Sequence, residues 1–242
     1  MTQSIKVYKI EKYPNEFPVE SENVNPGFSK MIFKTVVKTL GESEYSKTKL
    51  EKVQIIHPVA DEFEGQGILE DGSIQDIVAL STTEAFPCFI KEKKFIYTAE
   101  TKRIISEQAL KRLRRYPKED NKLVATPVEI DLAAFKKELE ENEGGSIKGG
   151  WFKNMKIENV KVAYLGGGTV TESKDWERYE TGGGIISALR MDIPTLNEED
   201  EPIKILLTKD GNCVVYKNYG ELDLLRVTMP VFEEAEKYIK EE

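Results

Sequence analysis

Histidine and cysteine, the residues that most often supply nucleophiles, general bases and zinc ligands, are scarce in this chain. Its 242 residues include one histidine, His57, and two cysteines, Cys88 and Cys213. A zinc site requires several such ligands close together, and three widely spaced residues do not predict one. Cys88 lies between apolar neighbours, which favours a core thiol over a nucleophilic pair with His57. We therefore predict no catalytic residue, no metal site and no cofactor.

Paired carboxylates are the next chemistry to test, because magnesium-dependent nucleases use them together with a lysine. Glu92 and Lys94 give the E-x-K part of that pattern, with Asp71 or Asp76 upstream. Glu92, however, falls in a predicted hairpin turn, and a chain with 43 acidic residues produces such matches by chance. A magnesium-dependent nuclease is kept as the enzymatic alternative.

Two triple-glycine clusters, Gly166–Gly168 and Gly182–Gly184, bracket a charged segment. Neither cluster is followed by the lysine of a P-loop, and neither has the third glycine of a dinucleotide-binding loop. We interpret both as flexible or bulged connections between strands. Trp176 and Tyr179 lie between them, and aromatic side chains carry much of the binding energy of interfaces. A second hypothesis is therefore a contact loop, anchored by these two residues, for a partner protein encoded nearby.

A basic segment at residues 101–118 is the strongest positive signal. It contains a single acidic residue, Glu107, and its basic residues are Lys102, Arg103, Lys111, Arg112, Arg114, Arg115 and Lys118. On a helix, Lys111, Arg114 and Arg115 have i, i+3, i+4 spacing and form one outward ridge. The residues predicted to face the core are Ile105, Ala109, Leu113 and Tyr116. The ridge is suited to phosphate contacts, although it would also serve as a solvated face or as a contact for an acidic protein.

Composition limits the class of protein. Hydrophobic residues make up 39%, charged residues 32%, and the formal net charge is −8. Such a chain has no overall attraction for nucleic acid or an anionic membrane, so phosphate binding must be local. We expect no signal peptide, because residues 1–13 lack an apolar run, and no transmembrane helix, because no run approaches the required length of about 20 apolar residues. We expect a soluble cytoplasmic protein, without membrane insertion, whose two cysteines are reduced.

The first part of the chain is predicted to mix strands and helices. Alternating apolar residues predict a strand at Ile5–Ile10, and Ser29 would cap a helix reaching Leu40. A hairpin is predicted from residues 86–90 and 95–97, before the basic helix that Pro117 ends. Asp131 is then placed to cap a helix that continues to about Glu141.

The second part is predicted to be β-rich and closed by a helix. Strands are expected around Trp151–Leu165 and at Ile185–Ile193, and Asp210-Gly211 signals a two-residue hairpin. A further strand is expected at Leu224–Thr228, and Pro230 would open the last helix. The fold class is therefore α+β.

A segment rich in glycine, serine and lysine at residues 143–150 is the best candidate for a domain boundary. The prediction is an α+β sub-domain at 1–143, which carries the basic helix, and a β-rich sub-domain at 144–242, which carries the glycine-bracketed loop and the C-terminal helix.

Several stretches resemble phage-exclusion proteins of the Rex A type. They are AFPCFIKEKKFIYTAET with its Phe86, Pro87 and Phe89, the basic helix, ATPVEIDLAAFKKEL, ENVKVAYLG and the order of elements up to about residue 240. The chain departs from that pattern in its glycine clusters and in its excess of acidic over basic residues. The resemblance implies a cytoplasmic, dimeric, DNA-associating component of a bacterial or phage defence system. Together with the basic segment, it leads to the hypothesis of a non-enzymatic nucleic-acid-binding protein that forms homodimers.

Overall fold

The computed structural model describes residues 2–24, 32–46, 48–99, 102–118, 120–141, 145–194 and 201–241. These residues form an α+β fold with a large antiparallel sheet, as the sequence predicts. The strands are β1 (Gln3–Lys12), β2 (Val19–Val24), β3 (Ile32–Tyr45), β4 (Thr48–Ile68), β5 (Ile74–Lys91), β6 (Phe95–Ala99), β7 (Val124–Pro127), β8 (Ser146–Ile157), β9 (Val160–Gly166), β10 (Ile185–Ile193), β11 (Ile203–Thr208) and β12 (Asn212–Val215). The α-helices are α1 (Arg103–Arg115), α2 (Leu132–Glu141), α3 (Lys174–Thr181) and α4 (Glu221–Ala235).

The sheet runs in the order β2-β3-β4-β5-β6-β1-β12-β11-β10-β8-β9, and β7 also pairs with β1. One edge of β1 pairs with β6, while the other pairs first with β12 and then with β7. The first strand therefore joins strands from both halves of the chain. Residues 146–150 of the predicted boundary at 143–150 belong to β8, and the division into two sub-domains there stays a prediction.

The sheet separates two apolar cores, because successive side chains of a strand point to opposite faces. On β1, Tyr8 and Ile10 belong to the core that also holds the buried residues of α1. Ile5 and Val7 belong to the other core, which holds the buried residues of α2, α3 and α4. The helix α1 thus covers one face of the sheet, and α2 and α4 pack on the opposite face.

The helix predicted from Ser29 to Leu40 is wrong. Residues 29–31 lie outside the described residues, and residues 32–40 belong to β3. Burial alternates along its start, with Phe33, Thr35 and Val37 buried and Lys34 exposed, which is the period of a strand. Pairing with β2 on one edge and β4 on the other outweighed the short helical pattern.

The strand predicted at Leu224–Thr228 is also wrong, as is the placement of Pro230 at a helix start. Both lie inside α4, with Pro230 in the helix interior. A proline there removes the hydrogen bond to the carbonyl of Arg226. Pro230 and Arg226 are both on the exposed side of the helix, where water can solvate that carbonyl. Leu224, Leu225 and Phe232 are buried, so α4 keeps its apolar face.

Other local predictions are confirmed. β5 and β6 form a hairpin, and Glu92 lies in its turn with a positive φ of 50°. The Asp131 carboxylate caps α2 by accepting hydrogen bonds from the backbone N–H groups of Ala133 and Ala134, both at 3.1 Å. β11 and β12 pair across the turn that contains Asp210 and Gly211.

Gly211 offers a test of how tightly that turn is packed under β1. Its φ is +75°, and a Cβ there would lie 2.6 Å from Val128 Cγ2 and 2.7 Å from Val7 Cγ1. Gly72 has a similar φ of +81° with no atom within 4 Å of the same position. We expect Gly211→Ala to lower the free energy of unfolding by about 2–4 kcal/mol, because strain and overpacking add.

Gly72→Ala is the matched control and should cost about 1 kcal/mol, since only the backbone strain applies. Urea unfolding followed by far-UV circular dichroism measures both values. Equal losses for the two variants would contradict the packing of this turn.

A candidate anion-binding surface on the first helix

The helix α1 places its apolar residues on the sheet and its basic residues outside. Ile105, Ala109 and Leu113 are buried, as predicted. Tyr116, which was predicted for the same face, is 43% exposed. The helix ends at Arg115, and Tyr116 is the C-cap residue, so it no longer follows the helical period.

Two of the predicted phosphate-binding residues are engaged by the protein's own carboxylates. Arg103 pairs with Glu107 at 2.8 Å and with Asp210 at 2.6 Å. Lys118 pairs with Glu20 at 3.2 Å and with Glu22 at 3.3 Å. These pairs neutralise the two ends of the basic segment.

The remaining exposed cations are not paired in this way. Among the residues that the structure describes, no ion pair is formed by Lys102, Lys111, Arg114 or Arg115. Lys111, Arg114 and Arg115 are all exposed and share one side of α1, so the predicted ridge exists. We call these three residues the basic ridge. It concentrates positive charge that the protein itself does not offset.

Arg112 lies beside the basic ridge but points into the molecule. Its guanidinium group lies 5.2 Å from the centre of the Phe33 ring. Within the described residues, its Nη1 atom is buried and has no hydrogen-bond partner. Burial lowers the pKa of Arg112 from its ordinary value, and nearby Tyr116 opposes this. A buried donor without a partner is costly, so an acceptor brought to this position would be stabilised.

A cavity of about 440 Å³ opens beside Arg112, between α1 and the strands β3 and β4. We call it the α1 groove. The residues that form its walls are Phe33, His57, Pro58, Val59, Ala60, Ile104, Arg112, Arg115 and Tyr116. Its mouth is amphipathic, because Ile104 is 61% exposed beside the cations Lys111 and Arg115. The groove can therefore accept a ligand that presents both apolar groups and negative charge.

His57 lines the α1 groove and is 1% exposed. Its Nδ1 atom lies 2.8 Å from the hydroxyl oxygen of Thr35. Burial, with a smaller effect from the charge of Arg112, lowers the pKa of His57 to about 4. The imidazole is therefore neutral at pH 7. Because Phe33 and His57 come from strands far from α1 in sequence, the charge pattern gave no signal for this groove.

Burial also determines the protonation state of the two cysteines. Cys88 and Cys213 are free and completely buried. Burial raises the pKa of the Cys88 thiol well above its ordinary value and that of Cys213 to about 12. Both thiols are protonated at pH 7, which matches the interpretation of Cys88 as a core residue.

The glycine-bracketed segment is not the loop that the sequence suggested. It folds into a short 3-10 helix at Val170–Glu172 and the helix α3. Ser173 caps α3, and its hydroxyl accepts a hydrogen bond from the backbone N–H of Trp176 at 3.2 Å. The sequence did contain this signal, since Ser173 precedes two acidic residues and Gly182 ends the helix.

The predicted anchor residues of this segment differ in exposure. Trp176 is completely buried and contacts Phe152 edge-on, with 4.9 Å between ring centres. Gly150 leaves room for it, because a Cβ there would lie 2.5 Å from the indole. Tyr179 is half-buried and also packs on Phe152. Trp176 therefore presents no surface to a partner in this structure, and only Tyr179 is partly accessible.

The carboxylates of the nuclease alternative lie at opposite ends of β5. Asp76 is near its start, whereas Glu92 follows its end and pairs with Lys94 at 3.0 Å. The 15 residues between Asp76 and Lys91 span roughly 50 Å in an extended strand. In the part of the chain that is described, no three His, Cys, Asp or Glu side chains are grouped so as to hold a metal ion.

Comparison with models of known protein families finds no match, and comparison with curated proteins finds none. The resemblance to Rex A-type proteins therefore remains a prediction from the sequence. Among the described helices, none combines the length and the apolar character needed to cross a bilayer.

The neutral state of His57 can be measured directly, because it is the only histidine. Since its pKa is about 4 when folded and about 6.5 when unfolded, the unfolded chain binds more protons between these values. The contribution of His57 to stability should therefore fall as the pH drops from about 6.5 to about 4, by up to roughly 3 kcal/mol, and then level off. Below that pH, protonation of paired carboxylates such as Glu107 and Asp210, whose pKa values are lowered in the folded protein, lowers the stability further.

A proton NMR titration of the imidazole in tag-free protein should give a midpoint near 4. The same titration in 8 M urea is the control and should return to about 6.5. Circular dichroism at each pH verifies that the first sample stays folded. A midpoint near 6.5 in the folded protein would contradict the burial of His57.

Proposed function

We propose that this protein is a non-enzymatic nucleic-acid-binding protein that contacts the phosphate backbone through the basic ridge of α1. The observation that supports this most is that, among the described residues, no carboxylate forms an ion pair with Lys111, Arg114 or Arg115. The protein has an excess of acidic residues, and they pair with the flanking residues Arg103 and Lys118. The central cations are exposed and have no such carboxylate partner among the described residues.

The geometry of the ridge suits a backbone rather than a base sequence. Side chains at i, i+3 and i+4 lie about 5–6 Å apart on a helix, comparable with the spacing of successive phosphates along a strand. Arginine and lysine donate hydrogen bonds to phosphate oxygens, and such contacts position a protein without reading sequence. Binding would therefore be strongly salt-dependent and weakly selective.

The broader role is proposed from the sequence alone. The resemblance of residues 84–240 to Rex A-type phage-exclusion proteins supports a place in a bacterial or phage defence system. In that setting, a sequence-independent DNA contact would let the protein respond to foreign DNA of any sequence.

A charge-reversal variant tests the ridge. A variant with Lys111→Glu, Arg114→Glu and Arg115→Glu should no longer bind a 30-base-pair DNA duplex at 50 mM salt. In the parent protein, three phosphate contacts predict a fall in affinity of roughly 40-fold between 50 and 200 mM salt. Fluorescence anisotropy of labelled DNA measures both effects.

The matched control reverses three exposed lysines on β8 and β9, namely Lys153, Lys156 and Lys161. It has the same net charge as the ridge variant, so it should keep the affinity of the parent within about threefold if the ridge is the binding surface. Equal loss in both variants would show that total charge, not the ridge, governs binding. Absence of binding by the parent at 50 mM salt would refute the proposed function.

The same variants separate binding from helix stabilisation. Cations in the last turn of a helix interact favourably with its negative end, by about 0.3–1 kcal/mol each. If the ridge served only this purpose, the triple variant would lose thermal stability while the parent showed no affinity for DNA.

A further inference from the structure

The strands β4 and β5 continue beyond the rest of the sheet as a two-stranded hairpin. The pairing of β3 with β4 stops at Val36 and Ile56, and that of β6 with β5 stops at Cys88. From residues 59 and 82 outward, β4 and β5 pair only with each other among the described residues. We call residues 59–82 the arm. Ten residues of extended strand give it a length of roughly 30 Å.

The arm is acidic and contains no lysine or arginine. Between Lys52 and Lys91 the chain contains no lysine or arginine, and its acidic residues are Asp61, Glu62, Glu64, Glu70, Asp71, Asp76 and Glu84. Six of these seven acidic residues, all except Glu84, lie in the arm, where no basic residue offsets them. Such a hairpin is repelled by nucleic acid and by anionic membranes, and a basic surface would complement it.

The arm also exposes apolar side chains toward its tip. The exposed fractions are 77% for Ile68, 62% for Ile74 and 44% for Leu69. An isolated two-stranded hairpin is only marginally stable in water, and clustered apolar exposure marks an interaction surface. A surface that combines apolar walls with positive charge would therefore complement the arm.

The α1 groove has these properties, and it lies at the base of the arm, since Val59 and Ala60 form part of its wall. We infer that two copies of this chain exchange arms about a two-fold axis. The tip of each arm enters the α1 groove of the other copy. Ile68 and Ile74 then pack near Phe33, Ile104 and Tyr116, and the carboxylates of the tip meet Lys111, Arg112 and Arg115.

The position of the groove explains why this arrangement closes as a dimer. In a dimer with two-fold symmetry, both copies make the same contacts. When the tip of one arm occupies the partner's groove, the tip of the partner's arm therefore occupies the groove of the first copy. The two arms lie antiparallel beside each other, and each acidic tip is distant from the other. A tip-to-tip arrangement would instead bring two clusters of like charge together.

Arm exchange has a consequence for the basic ridge. Lys111 and Arg115 line the α1 groove, so a docked arm covers two of the three ridge residues. The acidic arm and a phosphate backbone therefore compete for the same cations. Dimer formation does not depend on the proposed nucleic-acid binding, and it is measured without nucleic acid.

A charge-swap experiment on the full-length protein tests the arrangement. The arm variant is Glu64→Lys, Glu70→Lys and Asp76→Lys, and the groove variant is Lys111→Glu and Arg115→Glu. These positions avoid Asp71, whose carboxylate accepts hydrogen bonds from Ser73 within the turn. Light scattering and sedimentation velocity at low salt should show a dimer for the parent and at least a tenfold weaker dimer for each variant.

Combining both sets of substitutions in one chain should restore the dimer to within about threefold of the parent, because the reversed charges are again complementary. A control with Glu141→Lys, Glu158→Lys and Glu172→Lys, at exposed sites outside the arm, should dimerise like the parent. Circular dichroism and unfolding midpoints verify that each variant folds.

Three results would overturn the arm exchange. They are a parent protein that is monomeric at 50 µM, a dimer that survives both single-surface variants, and assembly into larger oligomers. A parent protein that dimerises but does not bind DNA would refute only the proposed function. A parent protein that binds DNA but stays monomeric would refute only the arm exchange.

Discussion

The ammonium group of Lys6 is buried at the point where the two halves of the sheet meet. Lys6 is 3% exposed and pairs with Glu107 at 2.6 Å and with Asp210 at 3.4 Å. Burying a charge costs several kcal/mol unless partners compensate, so both carboxylates must be in place. One comes from α1 and the other from the turn between β11 and β12. This one cation therefore links β1, α1 and the C-terminal hairpin, and Arg103 completes the network by bonding to the same two carboxylates.

Local chemistry made part of the fold predictable from the sequence. The hairpin at Asp210-Gly211, the cap at Asp131 and the end of α1 before Pro117 all depend on residues within a few positions of one another. The failures occurred where distant partners decide the outcome. Residues 32–40 become a strand because β2 and β4 pair with them, and α4 tolerates Pro230 because its opposite face is buried. Neither condition is visible in a local pattern.

In the candidate site, too, local patterns predicted some features, and distant contacts determined the others. Helical spacing predicted the ridge of Lys111, Arg114 and Arg115, but only the fold shows that Arg103 and Lys118 are neutralised. It also shows that Arg112 turns inward and that His57 is neutral beside it. The groove exists because β3 and β4 pass beneath α1. Its lining residues Phe33 and His57 precede Arg112 by 79 and 55 positions in the sequence. Charge patterns can locate a surface, whereas its shape depends on long-range packing.

The central place of β1 has a consequence for how the chain folds during synthesis. β1 leaves the ribosome before the other described strands, yet one of its edges is completed by β12, which is about 200 residues later in the chain. Until then, β1 has an open edge and the core under α4 is missing. Pairings of such high sequence separation slow folding and leave strand edges exposed to aggregation. The sheet is thus completed only after β12, at Asn212–Val215, has emerged from the ribosome.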